Sequence, residues 1–417
     1  MTNREIIDEI ERYLATPEYH KIKALYNLYE GDNPGILKQG ESRKRRNKTP
    51  NHVIPTAYYS TVVDTMAGYM FQDVQYNAED ETRQATLDAI LEANNIAVQD
   101  MQMGIASLAF NKGIEYIYTN DNAEIKISKL SAVNTIIIYS ENIEQNPIAA
   151  INFKNIGERK YKVLYITAEE ERSFTGDNKS IYDEESRPLF FSRLPVVDFK
   201  AQVIGKKAPF EVCIPYIDAL DFLVSGNANE IDRLVDALLV IGRVLDQEDL
   251  NSMDEWKVLQ DMKAEDRAEY LVKETSPEFR KYVSELLIRE IHKHSHVIDW
   301  YASDQGQAAD ASGKALRTRL FDMDMYSKRI EMAYREGMYK RLQAIGDLAD
   351  ALRMPIGAVR VEFKRTMIDD FLDDAVKLTN VTYLSDITKR EILGVDEEKE
   401  QERLAEERPA AIEFDDV

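Results

Sequence analysis

Along residues 277–353 the apolar positions recur every three or four residues, with one interruption. Phe279, Tyr282, Val283, Leu286, Leu287, Ile291 and His294 share one face of a predicted helix, with Ser276 as N-cap and Pro277 at its first position. A polar stretch, DWYASDQGQAADAS, carries no apolar period. After Gly313 a second run follows: Leu316, Leu320, Met323, Ile330, Tyr334, Met338, Leu342, Ile345, Leu348 and Leu352, with no proline before Pro355. Helical throughout, it is a rod of about 60 Å. A helix of that length crosses a whole subunit and packs on copies of itself or on neighbouring elements.

Upstream, residues 3–31 predict an amphipathic helical segment, broken at Thr16-Pro17 and stopped at Gly31-Asp32-Asn33-Pro34. Thr49–Pro55 leads in extended form to a helix over 56–71, and Gly68–Tyr76 turns from helix to strand. Residues 82–112 are helical, split at Asn94-Asn95. From Gly113 the period changes to two, which predicts a hairpin of 114–118 and 124–130 around Asn120-Asp121-Asn122. Further strands are expected at 133–139, 148–155, 160–167 and 195–204, with 168–190 a mobile polar excursion. The fold class is α+β, predominantly helical, with an inserted and mainly antiparallel β region.

Residues 214–245 return to helical spacing through Ile217, Leu220, Val224, Ala228, Ile231, Leu234, Leu238, Ile241 and Leu245. A second face carries Asp218, Asp221, Ser225, Asn229, Asp232 and Asp236, a polar stripe along about 45 Å of helix. A plain solvent face accounts for such a stripe as well as a functional one does.

Composition narrows the choice. The 417 residues allow two or three domains. One cysteine, Cys213, excludes an internal disulfide and suits a reducing compartment. No apolar run approaches the ~20 residues that span a bilayer and no signal-peptide pattern opens the chain, so it reads as soluble, of intracellular origin and without a membrane partner. Net charge is −22, and residues 366–417 hold sixteen acidic and six basic side chains. Such a chain is not expected to grip nucleic acid broadly, because phosphate binding rests on Lys and Arg. It can still surround DNA without holding it. The basic stretch Arg43–Lys48 fits either a nucleic-acid patch or a solvated loop.

Catalytic patterns are weak. Ser312-Gly313-Lys314 suggests a phosphate loop, but Gly306 lies too far upstream and Ala315 replaces the Mg²⁺-binding hydroxyl residue. His292 and His296 share a helix face and could hold a metal, yet no third ligand stands at a recognisable spacing. Asp369, Asp370, Asp373 and Asp374 could bind Mg²⁺ as in a metal-dependent nuclease, or form a solvated acidic surface. No cofactor is expected. A non-viral helical interaction protein remains the other reading of the rod and the acidic face.

Several separated stretches converge on one family. They are Tyr29-Glu30-Gly31, Pro50-Asn51, Val63-Asp64, Gly68-Tyr69 before Val74-Gln75-Tyr76, and Ile217-Asp218-Ala219-Leu220-Asp221 with Ser225 and Asn229-Glu230. Ser312-Gly313-Lys314-Ala315-Leu316, Val361–Arg365 and Leu384-Ser385-Asp386 follow in order. In order and spacing the chain resembles the bacteriophage portal (head–tail connector) proteins, in particular those of siphophages of Gram-positive hosts. It departs from them at His52, where asparagine is common, in a compact 246–276 and in a short tail.

The resemblance implies a portal fold of wing (1–213), first stem helix (214–245), clip (246–276), second stem helix (277–297), tunnel loop (298–312), long wing helix (313–353) and crown with tail (354–417). It implies a non-enzymatic, dodecameric ring at one capsid vertex. Double-stranded DNA passes through it during packaging and ejection. The terminase large subunit, the major capsid and scaffolding proteins and a head–tail adaptor are the implied partners, with assembly in the host cytoplasm and residence in the virion. Asp218, Asp221, Ser225, Asn229, Asp232 and Asp236 would line the channel and repel phosphates. Ser303, Asp304, Gln305, Gly306 and Gln307 would form the tunnel loop, and Ser312, Gly313 and Lys314 would open the long helix.

Overall fold

The structure, a computed structural model, describes residues 1–33, 35–36, 52–177, 179–235, 238–241, 268–271, 276–299, 313–365, 385 and 388. Side chains of 231–235, 238–241, 268–271 and 313–319 lie outside that description. The chain divides into two compact units, Met1–Asp299 with Met325–Arg365, and Trp300–Asp324 with Thr366–Val417. In the second unit, Ser385 Oγ accepts from the Thr388 backbone N–H at 3.2 Å.

The first unit opens with α1 (Asn3–Leu14) and α2 (Pro17–Tyr29). Thr2 and Glu5 form a reciprocal capping box at the start of α1, satisfying two backbone N–H groups that the helix leaves free. Ile6, Ile7, Ile10 and Tyr13 recur at helical spacing and pack on Ile151, Phe153, Tyr161, Val163 and Phe174. Those residues belong to a five-stranded antiparallel sheet, β4 (Thr135–Tyr139), β5 (Pro147–Gly157), β6 (Lys160–Ile166), β7 (Glu170–Gly176) and β8 (Ile181–Pro188), paired in chain order. The expected excursion at 168–190 is therefore corrected: it is the β7–β8 hairpin. Its polar composition reflects the outer strand, where β8 is exposed along nearly its whole length and carries charge that discourages edge pairing.

A second sheet, β3 (Ile125–Leu130), β2 (Gly113–Thr119) and β9 (Val196–Phe199), is also antiparallel. Around it lie α3 (Tyr58–Phe71), α4 (Glu81–Ala93) and α5 (Ile96–Phe110), with β1 (Asp73–Ala78) between α3 and α4. The break at Asn94-Asn95 falls between α4 and α5, as the sequence predicts; Asn95 takes a left-handed backbone (φ 49°). Asn94 uses its amide to bind the backbone of Ile125 and Ile127 at 2.8 and 2.9 Å, tying the break to β3.

The rod is α8 (Gly313–Ala351), and its apolar face enters the first unit's core through Ile330, Tyr334, Met338 and Ile345. Gly337 lets the helix press on Phe199: a Cβ there would lie 2.5 Å from the ring. Beside it, Arg341 is fully buried with Glu115 and Asp100. After α8 the chain adds β12 (Val359–Lys364) to β1 in antiparallel register, Asp73 opposite Lys364 and Ala78 opposite Val359.

One helix boundary is corrected. The predicted 214–245 helix is α6 (Ile214–Val235), and Leu238–Ile241 is β10, antiparallel to β11 (Ala268–Leu271). Leu238, Leu239, Val240 and Ile241 form a continuous apolar run that suits either element, and pairing with a distant strand decides it. The second helix of the pair is α7 (Pro277–Ser295), capped by Ser276 as predicted.

Candidate functional site: the paired helices and their strap

The polar face of α6 meets the chain segment that precedes α3. His52 N–H donates to Asn229 Oδ1 at 2.6 Å, Ile54 N–H to Ser225 Oγ at 2.9 Å and Thr56 N–H to Asp221 Oδ1 at 2.8 Å. Asn229 and Ser225 return the contact, donating to the carbonyls of His52 and Ile54 at 3.2 and 3.4 Å. Asn33 adds its amide to Asp218 at 2.7 Å and to Asp221 at 2.9 Å.

The spacing has a geometric cause. Four residues of helix advance about 6 Å. Two residues of extended chain advance about 6.6 Å. Side chains at 229, 225 and 221 therefore meet alternate backbone groups at 52, 54 and 56, with the strap antiparallel to the helix. Residues 53 and 55 fall on the unpaired side, and at 55 the residue is proline, which has no N–H to satisfy.

The channel-lining expectation is thus corrected for Asp221, Ser225 and Asn229, which are 1, 7 and 9% exposed and engaged within the subunit. Asp218 is half-buried beside Asn33. The side chains of Asp232 and Asp236, and residues 303–307 and 312, lie outside the described residues, as do Arg43–Lys48 and Asp369–Asp374. Gly313 and Lys314 begin α8, as predicted. The missed signal is chemical. A wall that only repels phosphate needs carboxylates throughout, whereas Ser and Asn both donate and accept, as pairing with backbone requires.

Helices α6 and α7 pack antiparallel. At one end the Cys213 thiol donates to the Ile291 carbonyl at 3.6 Å, and Tyr216 stacks on His294 with ring centroids 5.2 Å apart. At the other, Arg280 donates to Asn227 Oδ1 at 2.9 Å and pairs with Glu230. Burial pushes the Cys213 thiol up to about 12.

The three histidines at the end of α7 diverge. His292 Nδ1 donates to the Val297 carbonyl at 3.0 Å, and its ring meets Tyr58 edge-on. His294 lies beside Glu290 at 3.4 Å, and His296 stacks on Tyr326 at 4.3 Å. Among the described residues no three His, Cys, Asp or Glu side chains are grouped to hold a metal ion. No helix among them is long and apolar enough to cross a membrane.

An α+β subunit with an antiparallel helix pair and a rod through its core is the architecture now on view. A family profile described as "Phage portal protein, SPP1 Gp6-like" matches residues 11–413. The chain belongs to this family of phage portal proteins, structural subunits that act as a ring in the virion. Among solved structures it is similar to the neck of an empty GTA particle computed with C6 symmetry, at 12% identity over 86% of this chain and 94% of that chain, with a TM-score of 0.49. It is similar to the neck of a native GTA particle computed with C12 symmetry, at 11% identity over 81% of this chain and 90% of that chain, TM-score 0.48. A chain from the virion of a native gene transfer agent particle gives 11% identity, 82% and 91% coverage and a TM-score of 0.47. A search of curated proteins finds no match.

Proposed function

We propose that the ring is a dodecamer at one capsid vertex, with α6 and α7 as the stem of its DNA channel. The observation that carries this reading is the nakedness of α7. Only Ile291 and Ser295 of its nineteen residues are buried, while Phe279 and Tyr282 stand 64 and 59% exposed. A helix gains most of its stability from packing an apolar face, so neighbouring subunits are the natural cover.

Residues 1–213 then form the wing, 214–245 and 277–297 the stem segments, 246–276 the clip and 298–312 the tunnel loop. Residues 313–353 are the long wing helix and 354–417 the crown. With Asp221, Ser225 and Asn229 occupied by the strap, the channel-side carboxylates are Asp232 and Asp236, which repel phosphate and keep DNA sliding. Residues 303–307 touch the passing duplex. The assembled ring receives the terminase large subunit, sits among major capsid and scaffolding proteins, and later seats the head–tail adaptor.

Native mass spectrometry with negative-stain imaging of the full chain tests the ring. A species of about twelve subunits with a central hole is expected; a dimer or tetramer without a hole would overturn the reading. Replacing Asp232 and Asp236 by Lys is expected to leave the ring intact and slow packaging, since cations on the wall bind phosphate. Unchanged packaging would remove both residues from the channel.

A further inference from the structure

The side of α8 that faces away from the core carries a second apolar line. Met325, Met332 and Tyr339 are 51, 71 and 55% exposed and stand seven residues apart. At about 100° per residue they project opposite Ile330, Tyr334, Arg341 and Ile345, which the core buries. A helix at the surface of a lone subunit carries one apolar stripe, so a second on the opposite side marks a further partner. The seven-residue spacing is that of a helix–helix seam. The next position in the line is Gly346, where an added Cβ would meet nothing within 4 Å, leaving room for close approach of another backbone.

The patch extends beyond the helix. Arg329 donates to Gln202 at 3.1 Å, and the backbone N–H and hydroxyl of Ser192 donate to Asp347 at 2.8 and 2.7 Å. The stretch 192–202 therefore runs beside this face. Phe190 and Ile204, just beyond its two ends, are 83 and 85% exposed.

We propose that this face of α8 is a contact between copies of the chain, docking a neighbouring subunit in the ring. The inference rests on the ring reading and adds to it a surface outside the stem. A closed ring joins subunits head to tail, so each copy presents two different surfaces to its two neighbours. Copies carrying a charge of −22 each repel one another, and an uncharged centre is where they meet most cheaply. Methionine and aromatic residues bordered by Lys328 and Glu336 match the apolar core and charged rim of protein interfaces. DNA would call for cations at the centre of the patch instead.

The test uses the full chain in two arms. In the first, Met332→Lys with Tyr339→Lys is expected to lower the ring fraction at least tenfold at equal protein concentration. Compared as unassembled subunits, the two proteins keep the same unfolding midpoint, because both side chains are exposed in the lone chain and only assembly adds stability to the wild type. A wild-type ring alongside an intact variant ring would remove this face from the interface and leave the ring reading standing. No ring from the wild type would sink both. In the second arm, p-benzoylphenylalanine replaces Met332 in mixed ¹⁴N and ¹⁵N protein. Light is expected to yield mixed-isotope peptide pairs, the mark of contact between copies. Pairs from one isotope only, or capture of a different particle protein, would overturn the proposal even if the lysine variant failed to fold.

Discussion

Arg341 and Glu115, 226 positions apart, meet as a fully buried two-point pair, with Arg341 Nε and Nη2 at 2.8 and 3.0 Å from the two carboxylate oxygens. The same guanidinium donates to Tyr76 Oη at 2.8 Å and to Asp100. One cation thus holds α8 to β2, β1 and α5 at once. Arg341→Met is expected to destabilise the subunit by about 3–5 kcal/mol, because two carboxylates lose their buried partner. Arg341→Lys should recover only part of the loss, since an ammonium cannot reproduce the planar fork. Urea unfolding of the three proteins measures both.

Glu115 gives that cluster a pH signature. Burial raises its pKa above the ordinary 4.5, with Arg341 pulling it back only in part. A raised folded-state value means the contribution to stability is full below about 4.5 and is lost as pH rises through the folded-state value. The stability difference between wild type and Glu115→Gln should therefore shrink or reverse as pH climbs through that window. Urea unfolding at stepped pH gives the curve, and a difference that is flat or grows with pH would contradict the assignment.

The strap predicts a graded response in amide exchange. Asp221→Ala leaves the Thr56 N–H and hydroxyl without their acceptor and removes one of the two acceptors of the Asn33 amide, which keeps Asp218. It should cost about 1–3 kcal/mol. Exchange at Thr56 should accelerate most in that variant, at Ile54 in Ser225→Ala and at His52 in Asn229→Ala. Hydrogen–deuterium exchange resolved by residue distinguishes this register from a loosely held loop.

Close approach and open space give opposite signs for one substitution type. Gly337→Ala forces a methyl against Phe199 and should cost about 1–3 kcal/mol. Gly68→Ala, in α3 with nothing within 4 Å of the added Cβ, should instead gain about 0.5–1 kcal/mol from helix propensity. Thermal unfolding of the pair reads the contrast directly.

Cys213 offers a chemical probe of the helix pair. With its thiol pushed up to about 12 from 9.0, native protein at pH 8 should react with iodoacetamide at least about a hundredfold more slowly than unfolded protein, because the thiolate is the nucleophile. Equal rates would mean that α6 and α7 separate readily at this end.

Much of the architecture follows from periodicity read along the chain. The capped α7, the uninterrupted rod of α8, the break at Asn94-Asn95 and the alternating strands from Gly113 onward are local patterns. A helix or strand declares itself through which neighbours share a face, and that information lies within a few residues. The order of separated motifs likewise sufficed for the family. Partners were a different matter. The face Asp221-Ser225-Asn229 is polar whether it meets water, DNA or the chain's own backbone, and only the placement of residues 52–56 some 170 positions away decides which. Leu238–Ile241 is apolar enough for helix or strand, and its pairing with Ala268–Leu271 selects strand. Arg341 shows nothing in the sequence to separate it from the solvated arginines around it, because burial of a charge depends on carboxylates that other elements deliver. Local spacing determined the elements; three-dimensional neighbours, set by long-range packing, decided what each polar side chain is for.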